Sequence, residues 1–198
     1  MLPTLHLASQ SPRRKQLLES LGLPFVVTVA KDEERHPTAH AVADGVLQNA
    51  KAKATAILEK LASNKDVAIG ADTLVVFKDE VLGKPKDERD ATRMLRTLSG
   101  QVQTVYTGIY LVSRHYGSRG TVISSEVHFK KLSDSQIQAY AKTKEPYDKA
   151  GAYAVQGLGA LFVDKVVGSY TNVVGLPIEA LLTELESLTG ISITEWFK

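Results

Sequence analysis

Val67-Ala68-Ile69 and Thr73-Leu74-Val75-Val76-Phe77 flank Gly70-Ala71-Asp72, so eleven nearly apolar residues contain a single acid. A run of this kind reads as a buried central strand, because a strand covered on both faces has no need of polar alternation. Helices are the usual cover, which makes an α/β fold the expectation. The acid is the costly member. A carboxylate in apolar company requires a cation, a metal ion or a proton, so Asp72 is the leading candidate for a catalytic group. The alternative is a strand-end aspartate solvated at a turn, with Gly70 marking a bend.

A second junction constrains the N-terminal end. Leu5 to Ala8 is strand-like, Lys15 to Leu21 is helix-like, and Ser9-Gln10-Ser11-Pro12-Arg13-Arg14 joins them. Ser11 has the chemistry of an N-cap and Pro12 suits the first helical position, where an amide proton would lack a partner. Arg13 and Arg14 beside a helix start oppose the macrodipole. With two hydroxyls and the unpaired amides of the first turn, they make an anion pocket that suits phosphate. The alternative is a basic first turn on a solvated helix.

The first helix buries Leu17, Leu18 and Leu21 and stops at Gly22, and Phe25 to Val29 follows as a short strand. Lys31 to Pro37 is a polar loop rich in carboxylates. From Ala39 to Ala62 the apolar residues keep a helical period, giving one long amphipathic helix. On its projection Lys51 falls beside the apolar stripe and Lys53 on the opposite margin, so either can point along a groove. Asp87 caps a helix burying Ala91, Met94, Leu95 and Leu98. Val102 to Ser113 and Thr121 to Lys131 form an antiparallel hairpin about His115 to Gly120. Ser133 and Gln136 make a capping-box pair before a short helix containing Ile137 and Tyr140. Glu145 to Pro177 loses regular periodicity and carries five glycines, as turns approaching a ligand would, and Ile178 to Leu188 closes with a helix. With no repeat and no linker, residues 1–198 read as one domain, any second lobe being an insertion.

Composition narrows the function. Lysine plus arginine number 24 against 22 aspartate plus glutamate, which argues against a nucleic-acid surface and makes any basic site local. Zero cysteines exclude thiolate metal sites and fit a reducing compartment. No apolar run reaches the length of a membrane span, and the N-terminus reads as strand and helix rather than as an export signal, so the cytoplasm is the expectation. The P-loop, complete dinucleotide and serine-hydrolase signatures are missing. The five histidines lack metal-ligand spacing and read as structural. What remains is a set of cations, Arg13, Arg14, Lys51 and Lys84, and of acids, Glu33, Glu34 and Asp72, each near an element end. Cations neutralise phosphate oxygens, and carboxylates hold a hard divalent ion and orient water.

Leu7-Ala8-Ser9-Gln10-Ser11-Pro12-Arg13-Arg14, Gly70-Ala71-Asp72-Thr73, Gly83-Lys84-Pro85, Leu98-Ser99-Gly100, Asp148-Lys149-Ala150-Gly151-Ala152-Tyr153 and Asn172-Val173-Val174-Gly175-Leu176-Pro177 resemble the motifs of Maf proteins. The resemblance spans nearly the whole chain. It implies an elongated, mixed-sheet, two-lobed α/β fold of the Maf/ITPase-like kind with a central cleft, a nucleoside triphosphate pyrophosphatase activity, and a homodimer. It puts the acid base on Asp72, phosphate-handling groups on Ser9, Arg13, Arg14, Lys51 and Lys84, and a metal-side acid on Glu34, with Asp72 sharing the metal. Lys51 is selected over Lys53 because Lys51-Ala52 matches the family's lysine-alanine pair. The first loop departs from the pattern at Gln10, where the family has a small residue, so Gln10 either crowds the phosphates or adds a contact to them.

The branch of the family acting on 7-methyl-GTP has Trp, Gln and Glu where this chain has Arg13, Thr73 and Gln156; all three residues here resemble the dTTP/UTP branch. A glutamine amide offers an acceptor and a donor, matching the carbonyl and NH on the edge of uracil or thymine, whereas a carboxylate only accepts. The alternative for Gln156 is a turn amide bonded to backbone. The resemblance thus implies hydrolysis of dTTP, UTP and modified uridine triphosphates to monophosphate and pyrophosphate, in house-cleaning of the nucleotide pool. The cofactor would be a divalent cation: Mg²⁺, with Mn²⁺ or Co²⁺ as alternatives. A second reading is a nucleotide-binding regulator of septum formation that needs no turnover.

Overall fold

A computed structural model describes residues 2–29 and 37–196. One seven-stranded mixed sheet runs through it, with β1 (Leu5–Leu7), β2 (Phe25–Val27), β3 (Val67–Phe77), β4 (Glu80–Leu82), β5 (Val102–Ser113), β6 (Gly117–Phe129) and β7 (Val163–Val167). The order is β2-β1-β3-β5-β6-β7, and β4 pairs with β3. The first three are parallel, and the long β3, β5 and β6 are antiparallel neighbours. The apolar run containing Asp72 is one uninterrupted strand at the centre of this sheet. Gly70 therefore marks no bend.

Gly70 has a packing role instead. Helix α2 (Val42–Ala56) lies across β3 and β5, and a Cβ on Gly70 would collide with the Ala50 carbonyl oxygen. A Cβ on Gly108, which faces Asp72 in the β3/β5 register, would stand 2.5 Å from the Val46 oxygen. Two missing side chains let the helix backbone rest directly on the sheet. The expected helix from Ala39 to Ala62 is shorter than its periodicity suggested: a 3₁₀ turn at Ala39–Ala41 precedes α2, and another at Leu58–Lys60 follows it.

Helix α1 (Pro12–Ser20) starts at the proline as expected, and Gly22 beyond its end takes φ +68°. Ser11 occupies the N-cap position but its side chain does not make the capping bond; its own N–H donates to Ser9 Oγ at 3.2 Å. Asp87 caps α3 (Glu88–Leu98) by accepting from the Asp90 N–H, and Ser133 with Gln136 closes both halves of the capping box on α4 (Asp134–Ala141). The hairpin turn is tighter than expected, since β6 already begins at Gly117. The glycine-rich stretch holds three short 3₁₀ turns, the edge strand β7 and helix α5 (Tyr170–Val174), and α6 (Ile178–Thr189) closes the fold.

Two large buried clusters sit along this single sheet. One packs α3 and α4 with the far half of β3, including Val75, Met94, Leu95, Tyr140 and Phe162. The other packs β1, α1 and α6, including Leu5, Leu18, Ile69, Leu181 and Trp196. Each fully buried leucine-sized side chain contributes about 1.5–3 kcal/mol. No helix among the described residues is long and apolar enough to cross a membrane.

Candidate active site

The sheet itself opens the site. On the edge of β3 away from β5, β1 pairs only as far as Ile69 and β4 begins only at Val75. Residues 70–74 lie between those two partners, where β1 has ended and the chain has turned into α1. A crevice beyond the carboxyl end of a parallel strand is a common place for ligands in open α/β sheets. Here it is a cleft of about 1370 Å³, lined by Ser9 to Arg14, by Asn49 and Lys53 of α2, by Asp72 to Val75, by Gly83 and Lys84, and by residues 148–150 and 153–156.

Asp72 is the floor. It is 5 % exposed, accepts from Lys53 Nζ at 2.6 Å through Oδ1, and accepts from Asn49 Nδ2 at 2.9 Å through Oδ2. Asn49 and Lys53 are one helical turn apart, so they share the face of α2 that the two glycines bring down onto the sheet. The expectation of a strand-end aspartate in solvent is excluded by this burial. The lysine assignment also changes. Lys53, not Lys51, reaches the acid; Lys51 is exposed, with its ammonium 5.8 Å from the centre of the Tyr110 ring. The helical projection separated the two lysines correctly, but the side of α2 that faces the cleft is fixed by its contacts with Gly70 and Gly108.

Ser9, Arg14 and Thr73 form the wall beside the floor. Thr73 follows Asp72 and so points to the other face of the strand. Arg14 donates from Nε to the Gly175 carbonyl at 2.8 Å, from Nη1 to Ser9 Oγ at 3.2 Å and from Nη2 to Thr73 Oγ1 at 3.1 Å. It fastens the first loop to the strand and to the end of α5. Thr73 and Thr107 hydroxyls lie 2.9 Å apart, and Thr107 donates on to the Asn172 carbonyl at 3.1 Å.

The rim carries the remaining residues. Lys84 and Gln156 are exposed and line the cleft, as does Gln10. Arg13 Nη1 pairs with Asp148 Oδ2 at 2.8 Å, and Lys149 Nζ donates to Asp148 Oδ1 and to the Glu145 carbonyl, both at 2.5 Å. Burial works to raise the pKa of Asp148, but the bonds from Lys149 and Arg13 prevail and hold it below the ordinary aspartate value. The structure thus gathers Asp72, Ser9, Arg13, Arg14, Thr73, Lys84 and Gln156 around one cleft and leaves Lys51 outside it. Glu33 and Glu34 lie outside the described residues. Asn49 and Glu145 were not singled out from the sequence, and Asp148 stood there only as the first residue of a motif, with no role assigned.

Among the described residues no group of three or more histidines and acids could by itself hold a metal ion. A hard divalent ion such as Mg²⁺ needs only one or two carboxylates when substrate phosphates complete its shell. Asp72 meets that requirement: each carboxylate oxygen keeps a second lone pair beyond its bond to Lys53 or Asn49.

One buried acid at the floor of a cation-lined cleft, in a mixed sheet flanked by helices, defines an α/β protein equipped for phosphate chemistry. The chain belongs to the Maf family: the family model described as Maf-like protein matches residues 4–188. It is 46 % identical over 185 residues to a dTTP/UTP pyrophosphatase of Thermoanaerobacter sp. (strain X514), covering 91 % of this chain and 94 % of that one. It is 45 % identical over 183 residues to a dTTP/UTP pyrophosphatase of Bacillus cytotoxicus, covering 91 % and 93 %. A Mycobacterium abscessus nucleoside-triphosphatase / dITP/XTP pyrophosphatase of known crystal structure gives a TM-score of 0.44 at 14 % identity, covering 97 % of this chain and 99 % of that one, too remote to bear on the site.

Proposed function

We propose that this cleft hydrolyses dTTP and UTP, and modified uridine triphosphates, between the α- and β-phosphates, releasing the monophosphate and pyrophosphate. The observation that carries the proposal is the floor: a buried carboxylate, Asp72, bonded to Lys53 and Asn49 and opening into a cleft with Ser9 in its wall and Arg13 and Lys84 on its rim. Names of relatives at about 45 % identity supply the nucleotide class.

In this account water is the nucleophile, and Asp72 accepts its hydrogen bond and aligns it on the α-phosphorus. Lys53 sets the carboxylate's orientation and adds positive charge at the floor. Lys84, Arg13 and the Ser9 hydroxyl face the phosphate oxygens and stabilise the charge that accumulates on the departing pyrophosphate. Arg14 holds Ser9 and Thr73 in place. Gln156 presents its amide to the edge of the pyrimidine. Mg²⁺, replaceable by Mn²⁺ or Co²⁺, would be held by Asp72 and Glu34 together with phosphate oxygens, and would supply Lewis-acid polarisation of those oxygens. A homodimer in the cytoplasm completes the proposal, and light scattering on the purified protein reads the dimer directly.

The test is product analysis. With Mg²⁺ and dTTP or UTP, the protein should yield equal amounts of monophosphate and pyrophosphate, and Asp72→Asn should lower kcat by roughly 10²- to 10⁴-fold, the range of one general acid–base group. Release of orthophosphate, or undiminished turnover by Asp72→Asn, contradicts the mechanism. Nucleotide binding without any turnover would favour the regulatory reading instead.

A further inference from the structure

The residues after Gln156 wind around a carboxylate that has no part in the chemistry above. Glu145 begins the 3₁₀ turn Glu145–Asp148. Its Oε2 accepts from the Leu158 N–H at 3.1 Å, and its Oε1 accepts from the Gly159 N–H at 2.9 Å and from the Tyr140 hydroxyl at 2.9 Å. Gly157 has φ +69°, and a Cβ there would stand 2.7 Å from Glu145 Oε2, so the loop is pressed against the acid with no side chain between. Gly159 is equally confined, since its Cβ would stand 2.8 Å from the Tyr140 hydroxyl. The same turn is tied to the other side of the cleft through Lys149, Asp148 and Arg13.

We propose that Glu145 is a positioning residue for pyrimidine selection: by gathering the N–H groups of Leu158 and Gly159, its carboxylate fixes the loop that presents the exposed Gln156 amide to the base. This rests on the reading of Gln156 as the base-facing group. Among the described residues the Gln156 side chain makes no hydrogen bond that would hold it at one angle to the base, so its discrimination depends on the backbone just behind it. An ionised acid suits this task because it only accepts, and both loop donors and the tyrosine are donors. Burial opposes ionisation of Glu145, but the Gly159 and Leu158 N–H groups, Tyr140 and Lys149 outweigh it and keep its pKa below the ordinary value.

The experiment measures kcat and KM for dTTP and dCTP with Mg²⁺ in the full chain and in Glu145→Gln, Leu158→Pro, Gln156→Ala and the double variant Glu145→Gln/Gln156→Ala. A glutamine at 145 retains one acceptor oxygen and turns a donor toward the other N–H. The ratio of kcat/KM for dTTP to that for dCTP should fall about tenfold in Glu145→Gln, the scale of one lost charge-assisted hydrogen bond. The fall should come through KM, with kcat for dTTP within about twofold, because the floor is untouched. Leu158→Pro deletes one of the two loop donors at an exposed position and should lower the ratio less; it carries the test if Glu145→Gln does not fold. The double variant should discriminate no worse than Gln156→Ala alone. An unchanged ratio in Glu145→Gln or, failing its folding, in Leu158→Pro, while Gln156→Ala lowers it, overturns the inference. So does an equal loss for both nucleotides. An unchanged ratio in Gln156→Ala overturns the reading of Gln156 itself.

Discussion

The floor and the rim of the cleft are built by different means. Asp72 stands on an eleven-residue central strand, and its two partners stand on one face of α2. The backbone beneath them is held by the β3/β5 ladder and by helix-on-sheet contact at Gly70 and Gly108. Gln156, Glu145 and Asp148 stand on 3₁₀ turns and the segments between them, where side chains bond to loop backbone and to each other. In the proposed reading, the carboxylate that aligns water on the phosphorus is placed by a central strand and the helix packed on it, where small misplacement is costly. The amide proposed to meet the base, Gln156, rides instead on turns held by a few side-chain bonds. The contrast also predicts which substitutions damage chemistry and which damage only choice.

The sharpest way to break the contrast is to compare the two lysines of α2. Lys53→Ala leaves Asp72 buried without its ion-pair partner, which is worth about 3–5 kcal/mol for a pair at this depth. It should destabilise the fold and depress kcat for every nucleotide. Lys51→Ala removes an exposed side chain and should leave urea midpoint and kcat nearly unchanged. Equal effects at 51 and 53 would mean that α2 docks differently from the arrangement described.

A smaller effect is expected from Gly108→Ala. The new methyl meets the Val46 carbonyl, lifting α2 and withdrawing Asn49 and Lys53 from Asp72. Overpacking of this kind costs about 1–3 kcal/mol, readable by urea denaturation, and kcat should fall with no change in preference between dTTP and dCTP. A shift in preference would mean that floor and rim are mechanically coupled.

The acid of the floor and the rim residues Arg13, Lys84 and Gln156 were legible in the sequence, whereas Asn49 and Lys53 beneath the acid and Glu145 behind the rim were not. One acid among apolar strand residues is conspicuous because burial of charge is expensive, and Asp72 stands where that argument put it. The Ser133/Gln136 box was equally legible, being a bond between neighbours in the chain. The choice between Lys51 and Lys53 was not, because a helical projection gives relative azimuth while the docked face depends on glycines distant in sequence. Strand β7 escaped notice because it is a partly exposed edge containing Asp164 and Lys165, without an apolar run. Glu145 escaped because its partners at the loop are backbone N–H groups, which leave no mark in the amino-acid sequence.

The smallest effect expected is on acid stability. Glu145 and Asp148 both have pKa values below the ordinary carboxylate range in the folded protein. A depressed native pKa gives stability that is complete above the unfolded value, about pH 4 to 4.5, and is lost as pH falls through the native one. Relative to the parent, Glu145→Gln and Asp148→Asn should therefore show their deficit in thermal midpoint near pH 7 and lose it toward pH 3. A deficit that persists unchanged at pH 3 would assign it to packing rather than charge.

The division of labour between floor and rim is tested most directly by kcat and KM for dTTP and dCTP, with Mg²⁺, in Asp72→Asn and Glu145→Gln measured side by side. Asp72→Asn should lower kcat for both nucleotides by a similar large factor and leave their ratio alone. Glu145→Gln should leave kcat for dTTP nearly intact and erode the ratio. The opposite pattern, selectivity lost with Asp72 or turnover lost with Glu145, would contradict it.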